Sequence, residues 1–286
     1  MKRATGDLPG RDQDLLEAVG PAAVVSQGRV GNVGRRLFSG AILWPLFTVL
    51  IFIGIWEGIS KLGVVDPIIV PPFSEVMVSL VELVQTKLFW ENASATVRAS
   101  VAGFAIGCGA AYALGTLLTL GKPIRQALWP GIIAFQNTPR IIFAPLFLTW
   151  FGFGIGSKIV MSAGICFFPV VIAVVVGMET VNQDARSLMQ SLGASKWETY
   201  RKLVVPSSLP IVFAGFKQGM TLAVIGAIVG EFVGASEGLG VLIKAFNFQL
   251  NVADAFAVII ALGTIGLLLY GIVEWIDRKV VFWRSM

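Results

Sequence analysis

Apolar runs of about twenty residues alternate with short polar segments along most of the chain. At about 1.5 Å per helical residue, such runs match a hydrocarbon core of about 30 Å, so the pattern predicts membrane-spanning helices. Six are expected, at about 40–59, 97–120, 127–151, 159–178, 211–233 and 255–276. Between the first two, VVDPIIVPPFSEV is a proline-broken extended piece. It leads into an amphipathic surface helix with Val76, Leu80, Leu83 and Val84 on one stripe. GKPIRQ is a short basic loop, FGFGIGS a glycine-rich turn, and EGLGVLIKAFNFQLN returns across the outer surface. Residues 1–38 are polar and Gly-rich, with no stretch apolar enough for a signal-peptide core. We expect them to form a mostly disordered cytoplasmic tail, in which residues 14–19 (DLLEAV) stay non-helical.

One polar segment departs from the simple alternation. Residues 184–210, DARSLMQSLGASKWETYRKLVVPSSLP, are long for a connector and patterned for helix. Leu188 and Leu192 lie four apart before Gly193 interrupts the run, and Ser195 with Glu198 three residues later is a capping-box signature. On the helix that restarts there, Trp197, Tyr200 and Val204 share a face while Lys196 and Arg201 point elsewhere. Pro206 and Pro210 are expected to stop it. A solvated connector is one reading. Exposed apolar side chains on a helical loop favour the other, a docking surface for a partner protein.

Composition fixes the class. The 286 residues are 56% hydrophobic and only 14% charged, far too apolar for a soluble domain. The net charge of +5 does not point to nucleic acid, because the basic residues are scattered between apolar spans. With the N-terminus inside, fifteen of the 22 Lys and Arg fall in cytoplasmic segments and five outside. That imbalance predicts cytoplasmic termini and a cytoplasmic 184–210 loop. Cys108 and Cys166 both lie inside apolar spans, where a thiol behaves as a small hydrophobe. Histidine is absent, which removes the usual general base and the commonest metal ligand. Two glycine-rich stretches imitate phosphate loops without their chemistry. GTLLTLGKP has five residues between its glycines and a proline where Ser or Thr would hold magnesium, and GFGIGSK has the wrong order. The chain is therefore expected to bind no cofactor and no metal of its own.

SLGASKWETYRKLVVPSSLP resembles the EAA loop of permease subunits of bacterial ABC importers, with Gly193 as its glycine and Leu203, Val204, Val205 and Pro206 in its closing positions. Ser187, Leu188 and Met189 stand where the Glu-Ala-Ala triplet would be, so the acid is missing. VPPFSEV, TPRIIFAPLFLTWFGFGIGSK, ICFFPVVI, VGEFVGASEGLG and the terminal FW extend the likeness to the nitrate/sulfonate/taurine-type permeases from about residue 70 to the C-terminus. The resemblance implies an all-α integral membrane protein with a MetI-like core, five helices plus an N-terminal one, in a bacterial inner membrane. It also implies a second permease copy, two ATP-binding subunits carrying Mg-ATP at the cytoplasmic face, and an extracytoplasmic solute-binding protein. Ser187, Leu188, Met189, Leu192, Gly193, Ala194, Trp197, Arg201 and Pro206 become the expected ATPase-coupling residues. Leu188, Leu192 or Trp197 would enter a groove of the ATPase, with Arg186, Lys196 and Arg201 at its rim.

For the translocation pathway the candidates are Gln136, Asn137, Arg140, Gln218, Gly226, Gly230 and Glu231. Arg140 stands beside Pro139, and an ionisable group there is costly unless paired or wet. It either faces a cavity for an anionic or strongly polar solute or pairs with Glu231. Gly226, Gly230 and Gly234 form a stripe that either packs against another helix or lines the pore. Lys217 and Gln218 are expected to snorkel to the surface, and Glu57 and Glu274 to be interfacial. An intramembrane enzyme would need a nucleophile-base or metal cluster that this sequence does not offer. A secondary transporter or channel would usually show repeats or an embedded coupling carboxylate, and no repeat is visible.

Overall fold

The computed structural model describes residues 40–285. These residues are helical over most of their length, the all-α class expected. The expected tail at 1–38, including 14–19, lies outside the described residues. The chain divides into two compact units, Met1–Phe52 and Ile53–Met286. In the first, the opening part of α1 (Gly40–Lys61) exposes Leu43, Trp44, Leu46, Phe47, Val49 and Leu50. A helix that apolar on its surface is suited to lipid.

In the second unit, the end of α1 anchors the extended segment that follows it. Trp56 Nε1 donates to the Pro71 carbonyl at 3.0 Å and Ser60 Oγ to Val70 at 2.8 Å. Glu57 accepts from the Ser74 amide and hydroxyl and pairs with Lys61 at 2.6 Å. The predicted amphipathic helix is α2 (Phe73–Val84), with Val76 and Leu83 buried. Helix α3 (Lys87–Leu120) begins ten residues before the expected 97, capped by Thr86 Oγ1, which accepts from the Phe89 amide. Its polar first turns hid that start from an apolar count.

The third expected span, 127–151, is not one continuous helix. It is α4 (Lys122–Asn137), a 3-10 turn (Arg140–Phe143) and α5 (Ala144–Phe151), with the two halves bent by 90°. Pro139 explains the break. It lacks an N–H and drives Thr138 into an extended conformation with φ −78° and ψ 133°. Then come α6 (Ile155–Glu179), α7 (Gln183–Ser191), α8 (Lys196–Thr199), α9 (Val205–Gly234), α10 (Leu239–Phe248) and α11 (Val252–Val280). Pro206 and Pro210 do not end a helix, contrary to expectation. A π-helical turn at Tyr200–Val204 carries α8 into α9. Pro206 sits in the first turn of α9, and the wider π spacing accommodates its missing N–H. Among the described residues, five helices are long and apolar enough to cross a membrane, and the bent pair is the sixth candidate. The segment EGLGVLIKAFNFQLN contains α10, too short to span, whose Leu239, Leu242 and Ile243 are buried with Leu83, Phe89 and Val258.

Helix α6 lies between α3 and α9 and packs along both. Small residues permit the approach. A Cβ built on Gly226 would lie 2.6 Å from the Ser162 backbone, one on Gly230 3.1 Å from Lys158 Cα, and one on Gly115 2.6 Å from Val174. Ser162 Oγ donates to the Ala223 carbonyl at 2.8 Å across this interface. Interhelical contacts of this kind replace a hydrophobic drive that lipid does not supply. Cys108 and Cys166 are buried here as free thiols.

We expect Gly226→Leu to destabilise the protein by about 1–3 kcal/mol through overpacking. Gly109→Leu, whose Cβ meets nothing within 4 Å, should stay within about 0.5 kcal/mol of the parent. Thermal melts of both variants in detergent test this, and equal melting would mean the helices do not approach so closely.

Candidate functional site

The 184–210 loop folds as the helical hairpin its pattern predicts. Asn182 caps α7 by accepting from the Asp184 amide at 2.7 Å. The helix ends at Gly193, whose φ of +79° turns the chain, with Gly193 N–H on Gln190 at 2.9 Å and Ala194 N–H on Met189 at 3.0 Å. Only glycine adopts that φ without strain, and such closure satisfies the last carbonyls of a helix. The second arm opens with a complete capping box. Glu198 accepts from the Ser195 amide at 3.0 Å and the Ser195 hydroxyl accepts from the Glu198 amide at 3.2 Å. Lys202 closes on the same carboxylate at 3.1 Å.

Three large apolar side chains stay uncovered on the hairpin: Leu188 at 61%, Leu192 at 74% and Trp197 at 67% exposure. Leu188 and Leu192 share a face of α7, and Trp197 stacks on Tyr200 with ring centroids 5.5 Å apart. Ser187, Gly193 and Arg201 are exposed, while Met189, Ala194 and Pro206 are half-buried. The Ser187 hydroxyl is turned back onto the Gln183 carbonyl at 3.0 Å. Arg186 is not a rim residue as expected. Its Nη2 donates to the Met178 carbonyl at 2.7 Å and so ties α7 to the end of α6. From Lys196 to Gly234 the helix is continuous over 39 residues, so the hairpin's second arm and the span form one rod.

The pathway candidates separate into two groups. At the bend, Arg140 donates from Nη1 to the Ile165 carbonyl at 2.8 Å and from Nη2 to the Gln136 carbonyl at 3.2 Å. Proline supplies the reason. Pro169 inside α6 has no N–H to give the carbonyl four residues earlier, and that carbonyl is Ile165. The guanidinium also lies over Phe168, 5.7 Å from the ring centroid. It borders a cavity of about 300 Å³ lined by Phe135, Phe143, Phe147, Trp150 and Phe168. Gln136 Oε1 is buried beside it with no hydrogen-bond partner among the described residues. Asn137 and, on α9, Gln218 are exposed.

Gly226, Gly230 and Glu231 belong elsewhere. The two glycines press on α6, so the packing alternative is the arrangement found. The pair of Arg140 with Glu231 does not form, because each side chain has other partners. Glu231 is fully buried, accepting from Thr96 Oγ1 at 2.7 Å and the Gly240 amide at 2.8 Å. Thr96 and Asn92 of α3 in turn accept from the Leu239 and Gly238 amides at 2.9 and 2.7 Å. Lys158, close enough to attract Glu231, donates to the Glu237 carbonyl at 2.8 Å. Together these groups clamp the turn before α10. Sequence reasoning missed this cluster, although a carboxylate, a Lys, an Asn and a Thr in apolar surroundings are its visible signal. Lys217 does not snorkel. It pairs with Asp277 of α11 at 3.0 Å, with the two side chains only 17% and 5% exposed.

Comparisons with known proteins give this geometry its context. Residues 103–282 match the family described as binding-protein-dependent transport system inner membrane component. The chain is 31% identical over 243 residues to the formylaminopyrimidine transport permease protein ThiX of Halalkalibacterium halodurans, covering 85% of this chain and 96% of that one. It is 24% identical over 255 residues to the taurine transport system permease protein TauC of Escherichia coli, covering 85% and 93%. Among solved structures, an inward-facing MetNI methionine ABC transporter shares the fold with a TM-score of 0.56 at 20% identity, over 72% of this chain and 97% of that one. The function of such a chain is that of an ABC importer permease. The chain belongs to the family of binding-protein-dependent transport system inner membrane components.

Proposed function

We propose that this permease passes a small polar or anionic solute across a bacterial inner membrane, driven by a separate ATPase that docks on the 184–210 hairpin. The observation that carries this reading is the hairpin itself. Its exposed Leu188, Leu192 and Trp197 stand on a rod continuous with α9, so a force applied there is delivered to the span. Two ATP-binding subunits holding Mg-ATP, a solute-binding protein and a second copy of this chain complete the assembly. The chain itself is the non-catalytic partner. The excess of Lys and Arg in the segments flanking this face supports a cytoplasmic hairpin and cytoplasmic termini. Ser187 lacks the acid of the EAA pattern, so docking rests on apolar contact with Arg201 beside it. The solute class follows from the bend cavity, where aromatic faces surround a guanidinium, and from the pyrimidine and taurine permeases among the relatives. A planar or anionic group suits that combination.

Leu192→Asp, or Gly193→Leu, should uncouple ATP hydrolysis from import in proteoliposomes while the spans stay folded. A charged side chain in an apolar contact costs about 2–4 kcal/mol, enough to weaken ATPase affinity by about 30-fold or more. Full coupling in both variants would remove the docking assignment, and import by the purified chain without ATP would favour a secondary transporter or channel.

Arg140→Ala should lower the import rate at least about tenfold at unchanged basal ATP hydrolysis, and Arg140→Lys should restore only part of it, since lysine cannot hold two carbonyls in a fixed fork. Normal import by both folded variants would eliminate the pathway role.

A further inference from the structure

Behind the hairpin, between it and the last turn of α3, lies a second cavity of about 260 Å³. It is lined by Arg186 and Gln190 of α7, by Lys196 and Thr199 of α8, and by Thr119 and Leu120 of α3. Two cations reach it, and no carboxylate lines it among the described residues. The nearby acids are engaged elsewhere: Glu198 by Lys202 and the capping box, and Glu179 by Arg125. Arg186 spends Nη2 on the Met178 carbonyl, yet its Nε is buried with no partner among the described residues. A buried guanidinium N–H without an acceptor is costly, and the same side chain lines the cavity. Lys196 has neither a hydrogen bond nor an ion pair from its side chain among the described residues. The hairpin thus holds an unsatisfied charged donor beside a second, unengaged cation.

The geometry points to a phosphate oxyanion as the occupant, bound by Arg186 and Lys196 with the Gln190 amide as a further donor. A doubly cationic pocket without acids favours an anion with several acceptor oxygens, and arginine and lysine both serve phosphate. Its volume exceeds what a bare phosphate needs. Leu120, 67% exposed, extends the rim with apolar surface, which suits the phosphate of an anionic lipid headgroup as well as the free ion. Bound there, the oxyanion bridges both arms of the hairpin and brings them against α3. The consequence is a stiffer hairpin, set by the ionic or lipid surroundings and independent of whether the ATPase docks.

Binding is read on the full chain without any ATPase, so failure here and failure of the docking reading are distinguishable. In neutral detergent, inorganic phosphate should bind by calorimetry and raise the melting temperature by about 2–4 °C relative to chloride at equal ionic strength. In nanodiscs, phosphatidylglycerol should do the same relative to phosphatidylcholine if the source is a headgroup. Lys196→Gln, an exposed change, should fold and weaken the response about tenfold. Arg186→Gln should weaken it further, and if that variant does not fold, Lys196→Gln alone carries the test. A response to either phosphate source that Lys196→Gln weakens supports the site. No wild-type response to either source, or an unchanged response in Lys196→Gln, overturns it.

Discussion

A backbone carbonyl without a donor is tolerable in water and expensive in hydrocarbon, and much of this structure answers that constraint. Proline creates such carbonyls within α1, α4, α6 and α9, at Pro45, Pro130, Pro169 and Pro210. At α6 the solution is visible. Arg140, placed by the bend that Pro139 makes, reaches across and donates to the carbonyl that Pro169 leaves open. One proline aims the side chain and another gives it an acceptor. The same guanidinium supports the end of α4 through Gln136 and stacks near Phe168. The bent pair is thereby fastened to α6 by a charged group whose burial would otherwise be unfavourable. Arg140 is both a brace and, among the described residues, the one cation lining the aromatic cavity.

The second condition is close approach. Gly103, Gly107 and Gly115 on α3 meet Ser162, Cys166 and Val174, while Gly215, Gly219, Gly226 and Gly230 on α9 meet the same helix from its other side. Removing side chains from both neighbours lets α6 sit between them with its own side chains as spacers. Dispersion contacts accumulate along the whole length, and a void anywhere would forfeit them. The three helices move as one body more readily than they slide. At one end Arg186 joins α7 to α6, and at the other Lys158 and Glu231 hold the turn that begins α10.

Much of this was legible in the sequence, and the exceptions share a cause. The capping box at Ser195 and the interruption at Gly193 are local signals, and each appears where the sequence predicts it. Local reasoning failed where a partner far along the chain decides the outcome. Pro206 was read as a stop, but a π turn lets α8 and α9 continue past it. Lys217 was read as snorkelling because Asp277 is sixty residues away. A pair of Arg140 with Glu231 is one of the two alternatives the sequence leaves open, whereas the hydrogen-bond partners found are main-chain groups and a hydroxyl that carry no charge in the sequence. The glycine stripe of α3 went unnoticed because its spacing, unlike a charge, has meaning only beside a second helix. The hairpin's caps and its turn at Gly193, being local, are legible in the sequence, whereas the bond from Arg186 to Met178 is not.

These pieces suggest how movement at the hairpin could reach the bend. From Lys196 to Gly234 the helix runs about 58 Å at 1.5 Å per residue, nearly twice the hydrocarbon thickness. A rod that long exceeds the bilayer, so a small rotation at its hairpin end becomes a larger displacement along the span. Helix α6 follows α9, because the close glycine contacts and the Ser162 bond hold the two helices together. Ile165 lies on α6, and Arg140 is bonded to its carbonyl. Any displacement of α6 is therefore transmitted to the bent pair through a main-chain acceptor and a guanidinium, and the aromatic cavity between them is the volume that changes shape.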